Sequence, residues 1–252
     1  MKAIEILKHE SDFKAKLTDN NGRRMFLSPF SLDIPGTSEK IDFIRCMPEI
    51  PDESYFFKDT PAKEKIVLHH TAGYLKSDIT TLTKPNYHVS VPFVLGRDGS
   101  IYNLFASKYW SYHLGGNSVG GNESMSKASI GIEISNIGPL RLNGDNLYDY
   151  YGNLYCHLTE TQYYKVLDVA WRGYSYFATF TDAQYESLIK LLKFLTNRYN
   201  IPHVFLPENR RFETLTLLEI RQFKGILSHA NFRKDKSDMS PAFDYSRLVG
   251  QF

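Results

Sequence analysis

KIVLHHTAGY, residues 65–74, runs an apolar, partly β-branched stretch directly into two histidines and a small-residue turn. Ile66, Val67 and Leu68 do not alternate with polar residues, so the segment reads as a strand buried on both faces. A histidine closing such a strand is more often a hydrogen-bonded core residue than a ligand, so His69 alone establishes no site.

Working outward, YHVSVPFVL (87–95) alternates, and Arg97-Asp98-Gly99-Ser100 supplies a turn into residues 101–104, which predicts a hairpin. SIGIEIS (129–135) reads as another strand. Thr181 is a predicted N-cap for a helix whose Tyr185, Leu188, Ile189, Leu192, Leu195 and Tyr199 fall at spacings of three and four until Pro202 stops it. A last strand-like run, GILS (225–228), delivers His229. Strands interleaved with helices predict an α/β fold with a central mixed β-sheet flanked by helices. Residues 1–60, punctuated by prolines, are expected to be an N-terminal extension of short strands and turns packed on the core. Residues 61–252 form the main domain, in which 138–180, rich in Asn, Gly and Tyr without a clear period, is expected to be an insertion that covers the core rather than building it.

The 252 residues are 42% hydrophobic and 23% charged, the balance of an ordinary globular chain with a real core. A net charge of +2 is too mild for a nucleic-acid partner. Cys46 and Cys156 lack a CxxC spacing, which argues against a zinc knuckle or a disulfide framework and leaves two ordinary thiols. No run approaches a membrane span. The charged start MKAIEILKHESDFKAK does not read as a signal peptide, so the expectation is synthesis in the cytoplasm, with work on a cell wall requiring release or delivery by another route. A monomer is expected.

The chemistry enters with a second histidine. His229 also ends an apolar run, and Asp238 follows in a loop too polar to be core; two imidazoles and a carboxylate are a common set for catalytic Zn²⁺, leaving a fourth position for water. Lys236 reads either as a solvated cation or as a group placed to stabilise an oxyanion. Glu133 shares strand parity with Gly131 and Ser135, opposite Ile130, Ile132 and Ile134, so it is either a satisfied surface carboxylate or a general base beside the metal. On an extended chain His70 points away from His69 and reads as a strand-end residue. His88 reads as structural, orienting the ligands through a hydrogen bond. Trp110 and Tyr112, beside His113 and Gly115-Gly116, suit the core and a sugar- or peptide-binding wall about equally.

Taken in order, IVLHHTAG, NYHVSVPFVLGRDGSIY, SYHLGG, SIGIEISN, FTDAQYESLIKLL and SHANFRKDKSD resemble the zinc-dependent N-acetylmuramoyl-L-alanine amidases of the type 2 amidase and peptidoglycan-recognition-protein superfamily. The blocks cover about 62–136 and 180–246. The resemblance implies a mixed sheet with Zn²⁺ in an open groove, held by His69, His229 and Asp238. It implies a catalytic Glu133, with Lys236 and Tyr87 near the metal, and His113 on the groove wall near substrate together with Trp110 and Tyr112. The usual proline and glycine after the third ligand are Met239 and Ser240 here, and the ligand loop is one residue short. Asp235 is an alternative third ligand, but the match of Lys236-Ser237-Asp238 to the family's K-T-D block selects Asp238. The implied reaction is hydrolysis of the amide between N-acetylmuramic acid and L-alanine, as in an endolysin-like, bacteriolytic wall amidase. The alternatives are a non-catalytic peptidoglycan-binding module and a same-fold zinc amidase that acts on soluble muropeptides in wall recycling.

Overall fold

A computed structural model describes residues 2–251. Helix α1 (Lys2–Lys16) leads into a long hairpin of β1 (Met25–Asp33) and β2 (Lys40–Pro48). The main domain then runs β3 (Lys65–His70), α2 (Leu75–Leu82), β4 (Phe93–Leu95), β5 (Ile101–Asn103), α3 (Asn122–Lys127) and β6 (Ser129–Ile134). Residues 139–178 contribute β7 (Pro139–Asn143), β8 (Asn146–Tyr148), β9 (Leu154–His157), β10 (Tyr164–Trp171) and β11 (Tyr174–Ala178). The chain closes through α4 (Asp182–Tyr199), α5 (Leu217–Gln222), β12 (Gly225–Ser228) and the short α6 (His229–Phe232).

The main sheet has the order β1-β2-β5-β4-β6-β3-β12. β3 is parallel to both of its neighbours, β6 and β12, and every residue of it is buried, which is why its apolar run does not alternate. The antiparallel pairs β1–β2 and β4–β5 make the sheet mixed, as its interleaved pattern predicts. One face carries Ile66, Leu68, Ile130, Ile132, Ile134 and Ile226 against Leu188, Leu192 and Leu195 of α4. Thr181 caps that helix in a box with Gln184, and Asn200 ends it in the left-handed conformation two residues before Pro202. The opposite face is covered by α1, α2, α3 and α5 through Phe13, Leu75, Ile79, Met125 and Ile220.

The structure corrects three expectations. The extension is not only strands and turns, since it begins with α1, and β1 and β2 extend the main sheet by pairing β2 with β5. The predicted hairpin strand 87–95 is ordered as a strand only at β4. Before it the chain turns at Asn86 and His88, both at positive φ, and Pro92 donates no backbone hydrogen bond. Residues 138–180 are not a featureless cover: they build their own five-stranded sheet, β10-β11-β7-β8-β9, over a small core of Leu140, Leu147, Tyr155 and Cys156. Cys46 lies in a different cluster, and the two buried cysteines form no disulfide. Among the described residues, no helix is long and apolar enough to cross a membrane.

Candidate metal centre

The parallel register sets His69 directly beside Glu133 at the carboxyl ends of β3 and β6, and β12 ends one residue before His229. The polar loop after α6 then folds back, with Ala230 N–H donating to the Asp238 carbonyl at 2.6 Å. Three atoms converge as a result. His69 Nδ1 and His229 Nδ1 are 3.0 Å apart, and Asp238 Oδ2 lies 3.1 Å from the first and 2.9 Å from the second. All three residues are buried.

The far sides of the two rings say which nitrogens carry hydrogen. His229 Nε2 lies 2.9 Å from the Leu114 carbonyl, which can only accept, so Nε2 is protonated and Nδ1 presents a lone pair. For His69 the same conclusion comes through a relay. Ser129 Oγ donates to the Met125 carbonyl at 2.6 Å, so it accepts from His113 Nε2 at 3.0 Å. His113 Nδ1 then accepts from His69 Nε2 at 3.0 Å, and His69 Nδ1 is left bare. Burial holds His113 well below the usual imidazole range and pulls His69 down to about 4, so both rings are neutral near pH 7.

Two lone pairs and a carboxylate therefore face one point with no hydrogen between them. The 3.0 Å approach of the two Nδ1 atoms is not a hydrogen bond, and such crowding is favourable only around a cation. Donors bound at roughly 2.1 Å around one tetrahedral metal stand about 3.4 Å apart, a few tenths of an ångström wider than the spacing found here. The site fits a metal ion.

His229 and Asp238 open onto a cavity of about 750 Å³. Glu133 faces into it; burial first, and then the charge of Asp238, raises its carboxyl well above the usual range, and its Oε2 has no hydrogen-bond partner. Lys236 and Tyr112 line the cavity as well. His70 also lines the cavity, and its Nε2 reaches the Ser237 carbonyl at 3.2 Å, bracing the ligand loop.

Several expected residues take other places. Tyr87 is 49% exposed, lies under Lys84 Nζ at 4.6 Å and is not part of the cavity wall. Trp110 is buried, stacks on Phe57 at 4.3 Å and donates from Nε1 to Asp59, so it belongs to the core. His113 does line the cavity, but its ring nitrogens are committed to His69 and Ser129, so it orients a ligand rather than offering a contact to substrate. Gly131 makes room for that ring, since a Cβ there would stand 3.2 Å from His113 Cγ. His88 stacks on Phe57 at 4.2 Å and holds no ligand. Asp235 is exposed and paired with Arg233, outside the triad. The resemblance implies an open groove, but the second sheet closes one side of it with Pro139, Tyr150, Arg172 and Tyr174.

Sequence reasoning missed Ser129, Arg172 and Tyr174. For Arg172 a signal was present: WRGYSY places a two-residue loop containing glycine between β-forming residues, a hairpin pattern.

The sequence profile of the N-acetylmuramoyl-L-alanine amidase family, Amidase_2, matches residues 59–241. The chain belongs to this family. It is similar to N-acetylmuramoyl-L-alanine amidase AmiD of Escherichia coli (strain K12), with 26% identity over 200 residues covering 76% of this chain and 54% of the relative. The chain thus spans about half the length of that relative. The structure of the E. coli AmiD complex with anhydro-N-acetylmuramic acid-L-Ala-D-gamma-Glu-L-Lys superposes with a TM-score of 0.50 and 22% identity, over 85% of this chain and 63% of that one. A selenomethionine derivative of AmpD superposes with a TM-score of 0.47 and 20% identity, over 87% and 98%.

Proposed function

We propose that the protein is a zinc-dependent N-acetylmuramoyl-L-alanine amidase, cleaving the amide between the lactyl group of N-acetylmuramic acid and L-alanine. The observation that carries this reading is the convergence of His69, His229 and Asp238, with both imidazole tautomers set for a cation, beside Glu133, which shares the cavity and whose Oε2 has no hydrogen-bond partner. Two neutral imidazoles and one carboxylate suit Zn²⁺ with an open fourth position. The chemistry such an ion supplies is polarisation of the scissile carbonyl and a lower pKa for the attacking water.

The chain's own residues do the rest. Glu133 sits where it can accept the water's proton and return it to the leaving nitrogen. Its raised pKa suits the donor role, and with a divalent cation held by the neighbouring triad the ionised carboxylate would be favoured again, so Glu133 could serve both roles at one pH. The Lys236 ammonium, on the cavity wall, opposes the negative charge that grows on the amide oxygen. Tyr112 and Tyr174 offer apolar ring surface on either side. A pure binding module has no need of a complete ligand triad or of an unpaired carboxyl above it.

The name of the E. coli relative and the muramyl peptide in its complex support this substrate class. The wall built by the second sheet favours short muropeptides and strand ends over the middle of an intact sacculus. The test is mass spectrometry of products after incubating the zinc-loaded protein with sacculi and, separately, with soluble anhydro-muropeptides. Free stem peptides beginning with alanine are expected from both, faster from the soluble substrate. Full zinc loading without new alanine amino termini from either substrate overturns the reading.

A further inference from the structure

We propose that Arg172, on the second sheet, is a positioning residue for the metal centre, its guanidinium holding the ligand loop in the shape that sets Asp238 against His229. The proposal rests on the metal-site reading above.

Trp171 pairs with Tyr174, so Arg172 and Gly173 form a two-residue hairpin turn, and both have positive φ, 50° and 85°. That is the pattern of a type I′ turn, whose first position favours Asn, Asp or Gly. An arginine there holds a left-handed backbone that its β-carbon disfavours. Strain kept at a turn points to work done by the side chain.

Here the side chain leaves its own sheet. Nη1 donates to the carbonyl of Arg233 at 2.7 Å and to that of Lys236, while Nη2 donates to the carbonyl of Ala230 at 3.1 Å and to Thr214 Oγ1 at 3.3 Å. His229 and Asp238 are nine residues apart, and the three carbonyls come from the start, middle and end of the loop between them. Helix α6 ends at Phe232, so Arg233 and Lys236 have no helical partner for these oxygens. One planar fork thus ties together the whole span that brings the carboxylate back to the imidazole. A lysine, with one compact ammonium, cannot reproduce this geometry.

A plainer role is that Arg172 only fastens the second sheet to the main domain. Arg172→Asn separates the two, because Asn relieves the turn strain and so leaves the hairpin intact while removing the clamp. Zinc affinity is measured by chelator competition, and amide hydrogen exchange is followed across 139–178 and 230–238 in the metal-free full-length protein. The expected result for R172N is zinc affinity weakened about tenfold or more, faster exchange in 230–238 and unchanged exchange in 139–178. R172K falls between R172N and the wild type. Wild-type zinc affinity and loop exchange in R172N overturn the proposal, as does acceleration in 139–178 alone. If the wild-type protein binds no zinc, the metal reading fails, while exchange in 230–238 still decides whether Arg172 holds the loop.

Discussion

The relay behind His69 makes a quantitative prediction for Ser129→Ala. Ser129 is 2% exposed, and its hydroxyl joins His113 Nε2 to the Met125 carbonyl. Without it, His113 no longer has to carry its hydrogen on Nε2. It can move the hydrogen to Nδ1 and donate to His69 Nε2, which pushes the His69 hydrogen onto Nδ1, into the triangle of ligands. Metal binding must then reverse that arrangement. A net hydrogen bond of this kind is worth about 1 to 1.5 kcal/mol, or about five- to tenfold in affinity. Losses of up to about 100-fold are known for outer partners of ligating histidines.

The variant also deprives the buried His113 Nε2 and the Met125 carbonyl of the hydroxyl that joins them, at about 1–3 kcal/mol, so a lower melting temperature is expected beside the metal effect. Ser129→Thr keeps the hydroxyl and serves as the control. Zinc competition gives the affinity, and ¹⁵N NMR of the imidazoles in the metal-free protein gives the tautomers directly. Wild-type His69 should carry hydrogen on Nε2, and S129A should show a mixture. The relay is wrong if S129A binds zinc as tightly as wild type and keeps the Nε2 tautomer.

Three further outcomes follow from the same geometry. Glu133→Gln should retain zinc but lose about 10²- to 10⁴-fold in kcat, the range for a positioned acid–base group; an unchanged kcat removes Glu133 from the mechanism. Burial holds His69 and His203 at about 4 in the fold, whereas the unfolded chain titrates near 6.5. The unfolded state thus binds more protons at these two sites between these values, so in the chelator-treated protein the histidine contribution to stability should be complete above pH 6.5 and be lost toward pH 4, with His69 contributing on the order of 3 kcal/mol; a melting temperature whose pH dependence is unchanged in His69→Ala contradicts it. Tyr87→Phe should change kcat/KM less than about twofold, since Tyr87 lies outside the cavity wall; a loss of 100-fold would place its loop over the bound substrate.

How far the sequence could be read depended on whether a signal was local. β3, β12 and α4 announced themselves by uninterrupted apolar runs or helical spacing, and the candidate ligands His69 and His229 stood out because both terminate such strands, whereas Asp238 was selected only through the family's K-T-D block. Strand parity alone set Glu133 opposite three isoleucines, and those isoleucines do pack against α4. α1 was missed because its buried face runs Ile6, Glu10, Phe13: the middle position is a carboxylate that accepts from Arg97 N–H, which breaks the apolar stripe. The strands of the second sheet were missed because they are short and largely exposed, as the mostly solvent-facing β10 illustrates, so their residues need not alternate. The role of His113 was not readable at all, since it depends on a bond to Ser129, 16 residues away on another element.

The departure at the ligand loop, Met239-Ser240 where the family carries proline and glycine, makes physical sense once both ends of that loop are seen. A Pro-Gly pair stiffens a chain from within by restricting φ and permitting a tight turn. Here the stiffness comes from neighbours instead. Met239 is fully buried in the main core beside Phe243 and Tyr245, and Ser240 Oγ accepts from the Ala242 N–H, so the chain just after Asp238 is held by packing. Before Asp238, His70 holds the Ser237 carbonyl and Arg172 holds three more. An entropy cost that local sequence would otherwise reduce is offset by tertiary contacts made on folding. Substituting Met239→Pro or Ser240→Gly alone should therefore not strengthen zinc binding in a chelator competition, because the loop is already fixed from both sides.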